Sequence, residues 1–200
     1  MKTIVVTGGI GSGKSAVCAL LRARGVPVYD CDRETKLLYE RVPGLIERLE
    51  EALGISLKAA DGRLDRAALS RCIFSDPSAR ETLESIVYPL VKQDFEAWRA
   101  RQEGAAFVVL ESAVILSKPL FAGVGDAVVL VTAPEDLRLR RVMARDGLSE
   151  EAVRARMSAQ VPVKAALVLE NAGTPEELEA AVERVFFRKN SYICKLLSKS

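Results

Sequence analysis

The sequence predicts a three-layer α/β fold with a parallel central sheet. Three observations favour it: short apolar runs typical of buried strands, helical patterns between those runs, and a glycine-rich turn leading from a strand into a helix. A chain of 200 residues is long enough for one such sheet covered on both faces. The N-terminal order of strand, glycine loop, helix and strand is a βαβ opening, which predicts parallel strands.

The first strand is predicted at Lys2 to Thr7, a β-branched apolar run that ends at glycine. A helix is expected from Ser15 to Arg24, because apolar side chains recur there at helical spacing before Gly25. Val26 to Tyr29 is predicted as the second strand. From Arg33 to about Gln102 the pattern is helical, with turn signals at Pro43-Gly44, Asp61-Gly62 and Asp76-Pro77, which predicts a helical insertion.

The remainder of the chain alternates strand and helix patterns. Three more strands are predicted, at Ala106 to Leu110, Ala127 to Val131 and Ala166 to Leu169. Helices are expected at Pro134 to Arg145, Ser149 to Gln160 and Thr174 to Phe187. The last fifteen residues are expected to form a final helix that packs Phe186, Ile193 and Leu197, with a weak basic docking tail as the alternative.

Composition excludes several classes of function. A net charge of +2 supplies no global field for nucleic acid or an anionic membrane, so neither partner is expected. No apolar run is long enough to span a membrane, and the apolar run at the N-terminus is too short for the core of a signal peptide. A cytoplasmic location is therefore expected. The absence of histidine and the scatter of the four cysteines argue against a zinc site, a histidine triad and disulfides.

Gly8 to Ser15 matches the phosphate-binding pattern G-x-x-x-x-G-K-[ST] at every fixed position, between a predicted strand and a predicted helix. Glycines let backbone N–H groups turn around one oxyanion, and the helix N-terminus adds its positive dipole end. A flexible linker and a dinucleotide-binding loop are the alternatives, but the latter has no use for Lys14 and Ser15. The residues expected to contact ATP or GTP are Gly9, Ile10, Gly11, Ser12, Gly13, Lys14, Ser15 and Ala16.

Within this P-loop, Lys14 is expected to neutralise the β- and γ-phosphates and Ser15 to ligate the nucleotide's Mg²⁺. Glu111 closes the third strand, where its carboxylate could orient a water in the Mg²⁺ shell. Carboxyl ends of parallel strands share the loop's edge of the sheet, so the two residues predicted as metal ligands, Ser15 and Glu111, are expected to lie together there.

Asp32 follows the second strand and is a candidate general base for an acceptor hydroxyl, with capping of the next helix as the alternative, as for Asp30. Arg141 and Arg145 are four residues apart and are expected to share a helix face. Both could stabilise a transferring phosphoryl group, and a solvated charged face is the alternative. The expected catalytic residues are therefore Lys14, Asp32, Arg141 and Arg145.

Longer segments resemble the dephospho-CoA kinases, which use ATP to phosphorylate the ribose 3′-hydroxyl of dephospho-CoA. Besides TGGIGSGKS, the resemblance rests on VYDCD, LDRAALSRCIFSDPSARETLESIVYPLV, RRVMARDGLSEEAVRARMSAQ and LENAGTPEEL. It implies ATP and Mg²⁺, Asp32 as the base and Asn171 on the adenine side. It also implies that residues 33–102 bind the acceptor and that residues 138–160 form a small lid of a P-loop kinase. A monomer or small homo-oligomer is expected.

The sequence departs from the family pattern at several positions. Tyr88 stands where histidine is usual, Lys36 where arginine or histidine is usual, and ESAVILSK places Glu111 and Ser117 where aspartate and glutamate are common. Another metabolite or nucleotide kinase on the same scaffold is one alternative. A GTP-dependent switch is a second, although its Asn-Lys-x-Asp segment is missing, and an ATP-binding module without chemistry is a third.

Overall fold

The structure of the protein is a computed structural model and describes residues 1–160, 163, 165 and 167–198. Strand segments occur at β1 (Lys2–Thr7), β2 (Val28–Asp30), β3 (Phe107–Glu111), β4 (Ala127–Thr132) and β5 (Leu167–Glu170). They form one sheet in the order β2-β3-β1-β4-β5, and every pair is parallel. The predicted parallel α/β sheet is therefore confirmed; Ala166, the expected start of its last strand, lies outside the described residues.

The helices occupy the connections between these strands and the segments that follow them. Within the described residues they are α1 (Lys14–Ala23), α2 (Cys31–Arg41), α3 (Leu45–Leu53), α4 (Arg66–Ser75), α5 (Pro77–Ala100), α6 (Glu135–Asp146), α7 (Glu150–Ser158), α8 (Pro175–Val182) and α9 (Tyr192–Leu197). Short 3₁₀ turns lie at Ile115–Ser117 and Pro119–Phe121, and a π-helical turn at Glu183–Phe187 continues α8. No helix in the described part of the chain has both the length and the apolar character needed to cross a membrane.

The chain divides into two compact units. The sheet unit contains Met1–Asp30 and Gln102–Ser200, and the helical unit contains Cys31–Arg101. The helical unit is built around α5, against which α2, α3 and α4 pack. Asp76 begins α5 by accepting a hydrogen bond from the Ser78 amide at 2.8 Å, with Pro77 at the first helical position.

The core of the sheet unit lies between β1 and the helices α1 and α8. Ile4 and Val6 are fully buried there with Val17 and Leu21 of α1, and Phe186 packs on the same cluster. Burying each such side chain favours folding by roughly 1.5–3 kcal/mol. The central strand β1 is buried from Thr3 to Thr7, which explains its continuous apolar sequence.

The chain end packs where the sequence predicted a final helix. Ile193 of α9 is fully buried, and Leu197 is partly buried against the same core cluster. All four cysteines are free thiols, as expected, and Cys18 and Cys31 are buried.

Strand register brings three chain segments to one edge of the sheet. Val6 is paired with Glu111 of β3, Thr7 with Leu130 of β4, and Asp30 of β2 also with Glu111. The glycine-rich loop leaves β1 at this carboxyl edge, where ligands bind in open parallel sheets.

Candidate active site

Residues 8–13 form a tight loop between β1 and α1. Gly11 and Gly13 have φ angles of 78° and 92°, in the left-handed region that favours glycine. A Cβ atom on Gly13 would also overlap the side-chain amide of Asn171. Both the backbone conformation and the close approach therefore require glycine at position 13.

Several carbonyl groups of the loop accept hydrogen bonds from the loop itself, from α1 or from Asn171. Gly9 O accepts from the Ser12 amide at 3.1 Å, and Gly13 O accepts from the amides of Ala16 and Val17. Asn171 Nδ2 donates to Ser12 O at 2.9 Å. Because these carbonyls are occupied in the protein, the loop is organised as a cradle of N–H groups of the kind that binds phosphate.

Lys14 and Ser15 lie in the first turn of α1, which begins at Lys14. Lys14 Nζ donates to Gly8 O at 2.8 Å, so its ammonium group lies over the loop. The helix has no acidic residue in its first turn, which leaves its positive dipole end uncompensated by its own side chains.

Ser15 and Glu111, the two residues predicted to hold a metal, are in direct contact. The Ser15 hydroxyl donates to Glu111 Oε1 at 2.9 Å. Glu111 is 5% exposed, and its other oxygen, Oε2, is buried without a hydrogen bond from the described residues; Arg22 Nη2 lies 3.9 Å away. A buried carboxylate oxygen beside a hydroxyl is a donor set that fits Mg²⁺.

Ser15 and Glu111 alone are too few ligands to hold a metal ion. The described residues contain no group of three or more cysteine, aspartate or glutamate side chains placed to hold a metal ion. Mg²⁺ is commonly held by one or two protein oxygens together with substrate phosphates and water, so the Ser15–Glu111 pair suits a nucleotide-borne ion. The carboxylate also affects its neighbour Cys18, whose pKa is raised by burial and by the charge of Glu111.

Arg141 and Asn171 join helix α6 to the loop. Arg141 Nη1 donates to the backbone carbonyl of Asn171 at 3.0 Å, and Nη2 lies 3.4 Å from its Oδ1. Asn171 is 6% exposed and in turn holds the loop at Ser12. In this structure Asn171 therefore positions Arg141 and the P-loop.

Arg145 has a different environment from Arg141. It is exposed and forms a two-point pair with Asp146, with distances of 2.7 and 2.9 Å. This contact raises the pKa of Arg145 and lowers the pKa of Asp146. The two arginines were expected to act together. In the structure Arg141 contacts Asn171 beside the loop, whereas Arg145 pairs with Asp146.

In the helical unit, Asp32 is exposed in the first turn of α2, two residues after β2 ends at Asp30. Tyr88 of α5 lies near it: burial raises the pKa of Tyr88, and the charges of Glu84, Cys31 and Asp32 add to that effect. Tyr88 stands where histidine is usual in the family, and its phenol is uncharged at neutral pH.

The helical unit also contains an open cleft of about 570 Å³. Its charged lining consists of three cations and two carboxylates, namely Lys36, Arg63, Arg66, Glu40 and Asp61, and Tyr39 of α2 lies beside them. Arg63 lies 3.9 Å from Asp61, whereas Lys36 and Arg66 form no ion pair with any residue in the described part of the chain. Asp32 and Lys36 are four apart on α2 and therefore share a face.

Two residues at the loop were not singled out from the sequence. Arg138 Nε donates to Ile10 O at 2.9 Å, and Ile10 N donates to Gln160 Oε1 at 2.8 Å. Nothing local in the sequence indicates these contacts, because they join positions 128 and 150 residues apart. Ser117, the other departure in ESAVILSK, is exposed and donates to Val114 O within a 3₁₀ turn.

Comparison with known proteins agrees with this geometry. A family model described as dephospho-CoA kinase matches residues 2–176. A dephospho-CoA kinase from Thermus thermophilus is 43% identical over 189 residues, covering 91% of this chain and 89% of the relative. One from Anaeromyxobacter dehalogenans is 38% identical over 192 residues, covering 92% and 90%.

Two solved structures have the same fold. The crystal structure of TT1252 from Thermus thermophilus has a TM-score of 0.78 at 42% identity, covering 91% of this chain and 94% of that one. A dephospho-CoA kinase from Campylobacter jejuni shares the fold, with a TM-score of 0.65 at 23% identity, covering 92% and 94%. The chain therefore belongs to the dephospho-CoA kinase family.

Proposed function

We propose that this protein transfers the γ-phosphoryl group of ATP to the ribose 3′-hydroxyl of dephospho-CoA, producing coenzyme A and ADP. The observation that carries the proposal is the Ser15–Glu111 pair beside a complete P-loop, in a chain that belongs to this family over residues 2–176. Another metabolite kinase would share this donor half. The family match favours dephospho-CoA as the acceptor.

On the donor side, the loop from Gly9 to Gly13 and the start of α1 hold the ATP phosphates through backbone N–H groups other than those of Ile10 and Ser12, which donate within the protein. Lys14 moves its ammonium group from Gly8 O to the β- and γ-phosphates. Ser15 and Glu111 hold Mg²⁺, which when bound offsets phosphate charge. We expect Asn171 on the adenine side, and its contacts with Arg141 keep that arginine in place.

On the acceptor side, the helical unit binds dephospho-CoA. The substrate carries a 5′-diphosphate on the same ribose as the reacting 3′-hydroxyl. Lys36 and Arg66 line the cleft without an ion pair among the described residues, so both cations are available to an anionic ligand. Asp32 lies four residues before Lys36 on the same face of α2, so the proposed base and a cation of the cleft belong to one helix surface.

The reaction needs a proton acceptor and stabilisation of charge. The 3′-oxygen forms a bond to the γ-phosphorus, the bond from that phosphorus to the ADP oxygen breaks, and the hydroxyl proton passes to Asp32. Arg141 stabilises the charge spread over the transferring group. For Arg145 to assist, it has to exchange Asp146 for phosphate, which the exposure of this pair permits.

We further propose that residues 138–160 act as a lid that excludes water, so that ATP is not hydrolysed when no acceptor is bound. The small net charge supports action without nucleic acid, and we place the enzyme in the cytoplasm as a monomer or small homo-oligomer.

The test is a mass-spectrometric panel in which purified protein and Mg·ATP meet one candidate acceptor at a time. We expect coenzyme A from dephospho-CoA and no phosphorylated product from its 3′-deoxy analogue, which has the same diphosphate but lacks the reacting hydroxyl. A product from another acceptor, with dephospho-CoA unchanged at saturation, would identify a different kinase. If ATP is consumed equally in every reaction and no acceptor is phosphorylated, the protein is an ATPase.

A further inference from the structure

Two side chains from outside the P-loop occupy both polar backbone groups of one loop residue. Arg138 of α6 donates to Ile10 O at 2.9 Å, and Gln160, just after α7, accepts from Ile10 N at 2.8 Å. Arg138 Nη2 also lies 3.4 Å from the same Gln160 Oε1. Arg138, Gln160 and the Ile10 peptide groups therefore form one closed hydrogen-bond network, which we call the Ile10 clamp.

The side chain of Ile10 is held by the same two helices. It packs against a small apolar cluster formed by Leu139, Val142 and Val153 of α6 and α7. Val142 and Val153 are fully buried. The loop thus contacts these helices through an apolar contact and through the clamp, and the clamp is the directional part because it fixes the orientation of the peptide groups.

The clamp leaves no space for a side chain at Gly9. A Cβ atom on Gly9 would overlap the Arg138 guanidinium and would approach Gln160 Oε1 to 2.9 Å. Arg138 and Gln160 also line, with Gly8 and Gly9, a cavity of about 350 Å³ at the carboxyl ends of β1 and β4. The two clamp side chains and the loop therefore share one wall of this cavity.

We propose that Arg138 and Gln160 are positioning residues that fix the P-loop to the α6–α7 pair, so that the phosphate cradle and Arg141 are placed together. Arg141 lies one turn after Arg138 on α6, and it reaches Asn171, which holds the loop at Ser12. The loop is consequently fastened to the same helix at two points. The inference rests on the proposed function only in taking the bound anion to be the ATP phosphates.

The first arm of the test needs neither substrate. Hydrogen exchange of the Ile10 amide, followed by NMR in nucleotide-free protein, should be about tenfold faster or more in Gln160→Leu, which removes its acceptor. Gln160→Glu retains the acceptor and should restore protection. Amides in the middle of α1 serve as the internal reference. Unchanged exchange of the Ile10 amide in Gln160→Leu would overturn the clamp.

The second arm measures function. Arg138→Met keeps the length of the side chain but removes its donors, and we expect about a tenfold rise in the KM for ATP and in ATP hydrolysed per acceptor phosphorylated. Arg140→Met is the matched control, because Arg140 lies on the same helix, is exposed and pairs with Asp136. Equal effects of both variants would overturn the positioning role. If Arg138→Met does not fold, Gln160→Leu and Gln160→Glu provide the same comparison.

The two arms separate this inference from the proposed function. Loss of Ile10 protection in a protein that phosphorylates some other acceptor would leave the clamp standing and remove dephospho-CoA as the substrate. Normal synthesis of coenzyme A, with unaltered exchange of the Ile10 amide and an unaltered KM for ATP in the clamp variants, would support the proposed function and overturn the clamp.

Discussion

The Ser15 hydroxyl donates to Glu111 Oε1 at 2.9 Å, although 96 residues separate the two in the sequence. The parallel register explains the contact, because β3 ends at Glu111 next to the end of β1, from which the loop leads to Ser15. Glu111 is buried, and its second oxygen accepts no hydrogen bond from the described residues. The pair is thus oriented before any nucleotide arrives.

Glu111→Gln should weaken the enzyme's use of Mg²⁺. An amide has about the same shape but lacks the charge that a hard cation prefers, so we expect turnover to fall about a hundredfold and to need more Mg²⁺. The measurement is the rate of coenzyme A formation across a magnesium titration. Glu170→Gln is the matched control, since Glu170 ends β5 as Glu111 ends β3 but is exposed. A normal titration curve in Glu111→Gln would exclude the metal role.

Asp32→Asn should separate ATP binding from transfer. Loss of the proton acceptor is expected to reduce turnover by about 10²–10⁴, whereas the Kd for ATP should remain unchanged because the P-loop is intact. Equilibrium ATP binding and single-turnover transfer are the two measurements. Glu51→Gln on α3, also exposed in the helical unit, controls for the loss of one negative charge. Full turnover in Asp32→Asn would rule out its role as the base.

Two cations of the cleft, Lys36 and Arg66, form no ion pair with the described residues, and replacing either should weaken binding of dephospho-CoA but not of ATP. Lys36→Met and Arg66→Met each remove one charge that faces the proposed diphosphate, so we expect the KM for dephospho-CoA to rise about tenfold with the KM for ATP unchanged. Lys58→Met is the control, because Lys58 is in the same unit but pairs with Glu47 at 2.7 Å. If the KM for ATP rises, or if the KM for dephospho-CoA does not change, dephospho-CoA does not bind in this cleft.

The free energy of unfolding should fall in alkaline solution because of Cys18. Burial raises the pKa of this thiol in the folded protein, so the unfolded chain loses the proton first, above its usual pKa of about 8.5. The group's contribution is fully present below that pH and decreases as pH rises, by at most about 1.4 kcal/mol per pH unit. Cys18→Val should therefore show a shallower decline from pH 8 to 11 in urea unfolding, and an identical slope would contradict the assignment.

Much of the fold could be predicted because its signals are local. The bounds of β1 match the prediction, and the strand at Phe107–Glu111 lies one residue beyond the expected range, since a continuous apolar run identifies a buried strand. The contact between Ser15 and Glu111 was also predictable, because it follows from parallel strands whose ends share an edge. Helix ends were less accurate: α2 begins at Cys31, two residues before the expected start at Arg33.

The missing parts of the site depend on contacts between distant segments. Arg138 and Arg145 belong to one arginine-rich helix, and periodicity does not distinguish the one that contacts Ile10 from the one that pairs with Asp146. Gln160 follows α7 with no pattern that separates it from a solvated helix end. The tertiary packing of α6 and α7 determines which of these side chains reach Ile10, and no local sequence pattern predicts that packing.

The central place of β1 has a consequence for the order in which the site forms during synthesis. The P-loop leaves the ribosome early, but β1 pairs only with β3 and β4, and its loop is held by Arg138, Gln160 and Asn171. Each of these three side chains is translated more than a hundred residues after the loop. A nascent chain that stops short of them lacks the contacts that shape the cradle, so incomplete chains should neither capture nor waste ATP.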